Sequence, residues 1–261
     1  MLQNKDVQFG RFVSLLRKDF YFQYKAFIIA LGSILGIGFI VYLGMAGAGS
    51  FPAFHTGFFP NILLLLGLVA TSLVFRDIHR SPQNHFSLLI PASSFEKYAS
   101  RFFITTVVYI FGSLIIYFVF STFAAGVSFA IFRSHHGIFN PFSKEIWNLI
   151  AAYLVVHSIF FFGAVYFKKG AFLKTVLTLS VVGIVISVFA ALVTGTVAVV
   201  SAGSWLPLIF GNFMYVLEGV QGDLLRFGEV MGHIFRIFIL FVLPPALWVL
   251  GFIRYREKEE K

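Results

Sequence analysis

The chain has 261 residues, of which 59% are hydrophobic and only 12% charged, with a mean hydropathy of +0.89 and a net charge of +9. One soluble core could not hide that much apolar side chain, so a water-soluble globular domain is excluded and no separate soluble domain fits in what remains. The absence of Cys removes disulfide frameworks, thiolate zinc sites and thiol nucleophiles. The 36 Phe residues read as lipid-facing and interhelical filler.

In chain order, the leader at 5–25 comes first. Phe9, Phe12, Val13, Leu16, Phe20 and Tyr24 fall on one side of a 3.6-residue helix, and Arg11, Ser14, Lys18 and Lys25 gather opposite. This predicts an amphipathic helix lying on the inner membrane surface, with its basic face on anionic lipid headgroups. A plain juxtamembrane flank is the alternative. Between Lys25 and Arg76 stand 50 residues without Asp, Glu, Lys or Arg, and uncharged runs recur at Phe102–Phe132, Ile146–Phe167 and Thr175–Leu217. A helix needs roughly 20 apolar residues to cross a hydrocarbon core of about 30 Å. The predicted spans are about 26–46, 57–75, 102–124, 146–167, 173–200 and 233–253, the first two separated by the Gly, Ser and Pro cluster at 47–54. Ala46-Gly47-Ala48 also resembles a signal-peptide cleavage site, but the charged leader is long and the apolar run is span-length.

With the amino terminus cytoplasmic, sixteen of the twenty basic residues fall on inner segments, leaving Arg133, Lys144, Arg226 and Arg236 outside. The positive-inside rule therefore predicts six spans with both termini cytoplasmic, in one transmembrane domain over 1–261. The net positive charge marks this topology and not a nucleic-acid surface.

The connection at 76–101, RDIHRSPQNHFSLLIPASSFEKYASR, is too long for a simple turn. Ser93 with Glu96 three residues on is a capping-box pattern, so a helix should begin near Ser94 and feed into the third span. Apolar residues from Phe86 to Ile90 at a charged face suit protein docking. The outer segment at 201–232 is broken by Pro207 and by glycines, and carries Trp205, Glu218 and Asp223; with Arg236 just beyond, these form a candidate outer gate. Such a segment is either re-entrant, which requires protein or water around it, or an ordinary outer loop. Pro244 and Pro245 remove backbone donors from the sixth span and mark a candidate hinge. Gly183, Ser187, Ala190, Ala191, Gly195 and Ala198 predict close helix packing by the fifth span.

Catalytic sets are missing from the spans. His157 beside Ser158 reads as a hydrogen-bonded packing residue, with a proton relay as the alternative, and His135-His136 lack the spacing and acidic partners of a metal pair. Gly170-Ala171-Phe172-Leu173-Lys174-Thr175 lacks the second Gly of a P-loop. The expectation is no enzyme, no catalytic residue, no metal and no cofactor held by this chain.

Leu89-Ile90-Pro91-Ala92-Ser93, then Glu96-Lys97 and Arg101, resembles the "LPAS..EK" segment of bacterial permeases in the ATP-binding-cassette type-2 exporter superfamily. The amphipathic leader, six spans, inner termini and outer segment resemble that architecture along the full chain. The resemblance implies a permease subunit of the bacterial cytoplasmic membrane that pairs with a second copy or a related permease. It also implies binding to two copies of a separate P-loop ATPase, where ATP and Mg reside. Arg76, Asp77, Arg80, Phe86, Leu89, Pro91, Ser93, Glu96, Lys97 and Arg101 would then form the coupling loop. The apolar interior leans toward an amphipathic or lipid-like cargo. A non-transporting membrane scaffold or assembly factor is the other reading, and a lipid-modifying enzyme lacks the polar residues it needs.

Overall fold

The computed structural model describes residues 9–48, 54–76, 92–133, 137–202 and 237–259. Among them every regular element is helical, in the order α1 (Phe9–Gly47), α2 (Phe54–Leu73), α3 (Ser94–Phe132), α4 (Lys144–Tyr166), α5 (Ala171–Ala202) and α6 (Phe238–Glu259). Each contains a stretch long and apolar enough to cross a membrane. The described residues are therefore all-helical, and their six apolar helices suggest a multi-pass membrane protein. The chain divides into two compact units, Met1–Phe172 with Pro244–Lys261, and Leu173–Leu243.

The six predicted spans match the six helices, with differences that have physical causes. No break separates the leader from the first span, because nothing between Phe9 and Gly47 is a Pro or a turn cluster. At about 1.5 Å per residue the 39-residue α1 is about 58 Å long, well beyond a core of about 30 Å. On its described faces α1 meets α3 and also leaves apolar side chains exposed. Leu15 is buried, Phe12 meets Phe103 edge-on at 6.3 Å and Asp19 accepts a 2.6 Å bond from Ser100, while Val13 and Phe20 stay exposed.

α2 and α3 each contain a π-helical turn, at Ile62–Leu66 and Ile104–Val108. Pro60 stands just before the first and lacks the N–H that would meet the Thr56 carbonyl, and Asn61 Nδ2 donates 2.7 Å to the Gly57 carbonyl. α3 begins at Ser94, as the capping pattern predicts, but runs past residue 124 to Phe132, where Arg133 adopts a left-handed conformation with φ 55°. In α6, a third π turn at Phe238–Val242 directly precedes Pro244-Pro245, and the Leu243 N–H bonds to the Phe238 carbonyl five residues back. Pro244 is buried and Pro245 exposed. The α6 segment before residue 237 lies outside the described residues.

Two apolar clusters hold the first unit. Near the α3 start, Val74 and Phe75 from the end of α2, Tyr98 from α3, Phe161, Ala164 and Val165 from α4, and Tyr255 from α6 pack together. Gly251 matters here because a Cβ would stand 2.7 Å from the Tyr98 hydroxyl, which donates 2.6 Å to the Trp248 carbonyl. Toward the other end, Tyr42, Phe54 and Ala124 join α1, α2 and α3. Beside them, the Gly137 carbonyl accepts from His55 Nε2 at 3.1 Å, so His55 Nδ1 takes the Tyr117 hydroxyl proton at 3.0 Å.

Candidate functional site

The capping box at the start of α3 is complete: the Glu96 N–H donates to Ser93 Oγ at 3.2 Å and the Ser93 N–H to Glu96 Oε2 at 2.8 Å. The Glu96, Lys97 and Arg101 side chains do not face outward. Glu96, Lys97 and Arg101 are 0%, 6% and 4% exposed, so they are buried within this chain. Spacing accounts for it, because residues 96, 97, 100 and 101 share one face of a helix and that face meets α1, the α2 end and α6. Lys97 Nζ lies 3.2 Å from Glu259 Oε1, which also accepts 2.9 Å from the Tyr255 hydroxyl. Ser100 reaches Asp19 of α1, and the Arg101 guanidinium sits 5.0 Å over the Phe75 ring and 6.0 Å over Tyr255. One residue before Glu259, Lys258 Nζ donates 2.6 Å to the Val165 carbonyl, a cation at the C-terminal end of α4. The α6 tail thereby clamps the start of α3 to the end of α4.

Of the other predicted coupling residues, Arg76 is exposed, while Asp77, Arg80, Phe86, Leu89 and Pro91 lie outside the described residues. Trp205, Glu218, Asp223 and Arg236, and His135 and His136, also lie outside them. Phe95, which the sequence reading passed over, is 53% exposed beside the capping box and touches Phe252 edge-on at 5.8 Å. Asp19 and Glu259 were likewise missed, since neither belongs to a local motif.

A second polar cluster lies deeper between α2, α3 and α4. The Tyr109 hydroxyl lies 2.9 and 3.1 Å from the carbonyls of Ile62 and Leu63 at the α2 π turn, and the Tyr153 hydroxyl donates 2.7 Å to the Thr105 carbonyl in the α3 π turn. A π turn disturbs the regular ladder, and each tyrosine supplies a donor where a carbonyl needs one. Gly67 permits this arrangement, because a Cβ there would stand 2.5 Å from the Tyr109 ring and 2.6 Å from Tyr153.

His157 is fully buried in this cluster, with Nε2 2.9 Å from Thr105 Oγ1. Thr105 Oγ1 is itself 2.9 Å from the Arg101 carbonyl and 3.3 Å from that of Phe102. Carbonyls only accept, so the threonine proton goes to them and His157 Nε2 must donate. His157 Nδ1 then faces no partner among the described residues, nor does the indole N–H of Trp248, whose ring centroid is 6.3 Å away. Among the described residues no three His, Asp or Glu side chains group as metal ligands.

Beside this cluster an apolar groove of about 290 Å³ runs between α3 and α4, walled by Phe102, Thr106, Val107, Ile110, Phe111 and Leu114 on one side and Trp147, Ile150 and Leu154 on the other, with Trp248 of α6 at one end. No protein-family model, curated protein or solved structure matches the chain. The resemblance to type-2 exporter permeases therefore rests on its own residues.

Proposed function

We propose that this chain is the membrane-spanning permease subunit of an ATP-driven exporter of the type-2 kind, in a bacterial cytoplasmic membrane with both termini cytoplasmic. It pairs with a second permease copy or a related permease and works with two copies of a separate P-loop ATPase that holds ATP and Mg. The observation that carries this reading is the capping box at the base of α3, with its Lys97, Ser100 and Arg101 side chains reaching α6, α1 and the α2 end. A force on the connection preceding Ser93 would enter α3 and reach these elements together. In this reading Glu96, Lys97 and Arg101 transmit the push and do not touch the ATPase. Exposed Phe95 and Arg76 flank the connection and take the contact role.

The test is a mild-detergent pull-down of the tagged chain from its native membrane, with mass spectrometry and an ATPase assay on the eluate. A stoichiometric P-loop ATPase, reduced by Phe95→Ala while the permease still inserts, is expected. Elution without any ATPase, under conditions that preserve other membrane complexes, would replace the exporter reading with the scaffold one.

A further inference from the structure

The groove between α3 and α4 has the dimensions and chemistry of a lipid-chain site. Its walls expose carbon, so neither water nor a polar peptide finds a hydrogen-bond partner in it. Both helices carry membrane-spanning stretches, and partly exposed Val107 and half-exposed Trp147 form its open side, so the medium facing it is hydrocarbon. From Leu114 to Phe102 it follows twelve residues of α3, about 18 Å, close to one leaflet of a roughly 30 Å core. Lys144, exposed at the first position of α4, precedes Trp147 by three residues and so shares its helix face, which places a cation at one end of the groove. Glu145 lies about 100° further round. The other end is closed by Phe102 and Trp248, whose rings meet at 4.8 Å.

We propose that this groove holds one acyl chain of an anionic phospholipid, with the headgroup at Lys144 and the chain end against Phe102 and Trp248. The inference rests only on the helices spanning a bilayer and stands apart from the exporter reading.

Fluorescence provides the test, because two of the three tryptophans line the groove. The full-length Trp147→Phe, Trp205→Phe variant reports on Trp248 alone. It is placed in nanodiscs containing phospholipid with a brominated acyl chain, carried on either an anionic glycerol or a zwitterionic choline headgroup. Trp248 should be half-quenched at about a fivefold lower mole fraction of the anionic lipid, the factor one basic group contributes near lipid headgroups. Val107→Phe fills the groove and should abolish the quenching, and Lys144→Gln should make the two lipids equivalent. Quenching that survives Val107→Phe, or no quenching at all, overturns the groove assignment. Equal quenching by the two lipids before Lys144 is changed overturns the headgroup assignment. If Val107→Phe does not fold, judged by circular dichroism and gel filtration, Leu154→Phe replaces it.

Discussion

Replacing Lys97 with Met leaves the Glu259 carboxylate 12% exposed with the Tyr255 hydroxyl as its remaining described partner, and replacing Glu259 with Met leaves the Lys97 ammonium stranded at 8% exposure. Removing one member of a buried pair costs about 3–5 kcal/mol, whereas an exposed pair contributes about 0–1 kcal/mol. At these exposures each single substitution should weaken the α6 tail by about 2–3 kcal/mol, while the double Met variant should return to within about 1 kcal/mol of the parent, since apolar replacement of both charges removes the desolvation cost as well. Amide hydrogen exchange over 254–259 in detergent reads this directly. A loss of about 2 kcal/mol raises the local opening constant about 30-fold. Exchange over 150–160 in α4 serves as the internal reference. Fast exchange in the double variant, equal to or above the faster single, would refute the claim that the two charges hold the tail through each other. So would unchanged exchange in both singles.

Gly67→Ala should cost about 1–3 kcal/mol by overpacking, because both rings its Cβ would strike are held by hydroxyl bonds; a lowered thermal midpoint of the purified protein reads it. Ser93→Ala removes one half of the capping box and should cost about 1 kcal/mol, visible as faster exchange over 94–98 alone. Tyr153→Phe keeps the ring and strips the donor from the Thr105 carbonyl, at about 1–3 kcal/mol, and should lower the same thermal midpoint without altering the detergent-solubilised oligomer size.

The six membrane-length helices were legible because they depend on long uncharged runs, which few other arrangements can use, and the α3 start was legible because Ser93 and Glu96 satisfy each other across three residues. Helix ends set by tertiary support were not. α3 outruns residue 124 because α1 and α2 cover it through Ala124, Tyr42 and Phe54, contacts distant in sequence. The π turn at Ile104–Val108 carries no Pro or Gly to announce it, in contrast to the one that follows Pro60. Three of the candidate coupling residues, Glu96, Lys97 and Arg101, are buried for an instructive reason. Charge in a loop near a membrane is expected to face water, yet 96, 97, 100 and 101 fall on a single helical face, a signal present in the spacing that points inward as readily as outward. Asp19 and Glu259 complete that face from opposite ends of the chain, and no local pattern could pair them with it.

α3 is the element through which the first unit is held together, and the chemistry of its contacts changes along its length. At its start the links are charged or strongly polar: Lys97 to Glu259, Ser100 to Asp19, and Arg101 over Phe75. Such contacts are long-reaching, and the Asp19 and Glu259 carboxylates keep 12% exposure each, so water can reach them. Deeper, the links are tyrosine hydroxyls seated on main-chain carbonyls at the two π turns, and His157 on Thr105. In hydrocarbon a donor or acceptor pulled from its partner finds no water to replace it, at a cost of several kcal/mol. The middle of α3 should therefore move only with α2 and α4 attached, whereas its first turn can be released where water reaches its polar partners. Within the proposed exporter reading, the compliant step would fall at the capping box and the α6 tail, acting on the tyrosine-stapled trio of α2, α3 and α4 as a rigid body.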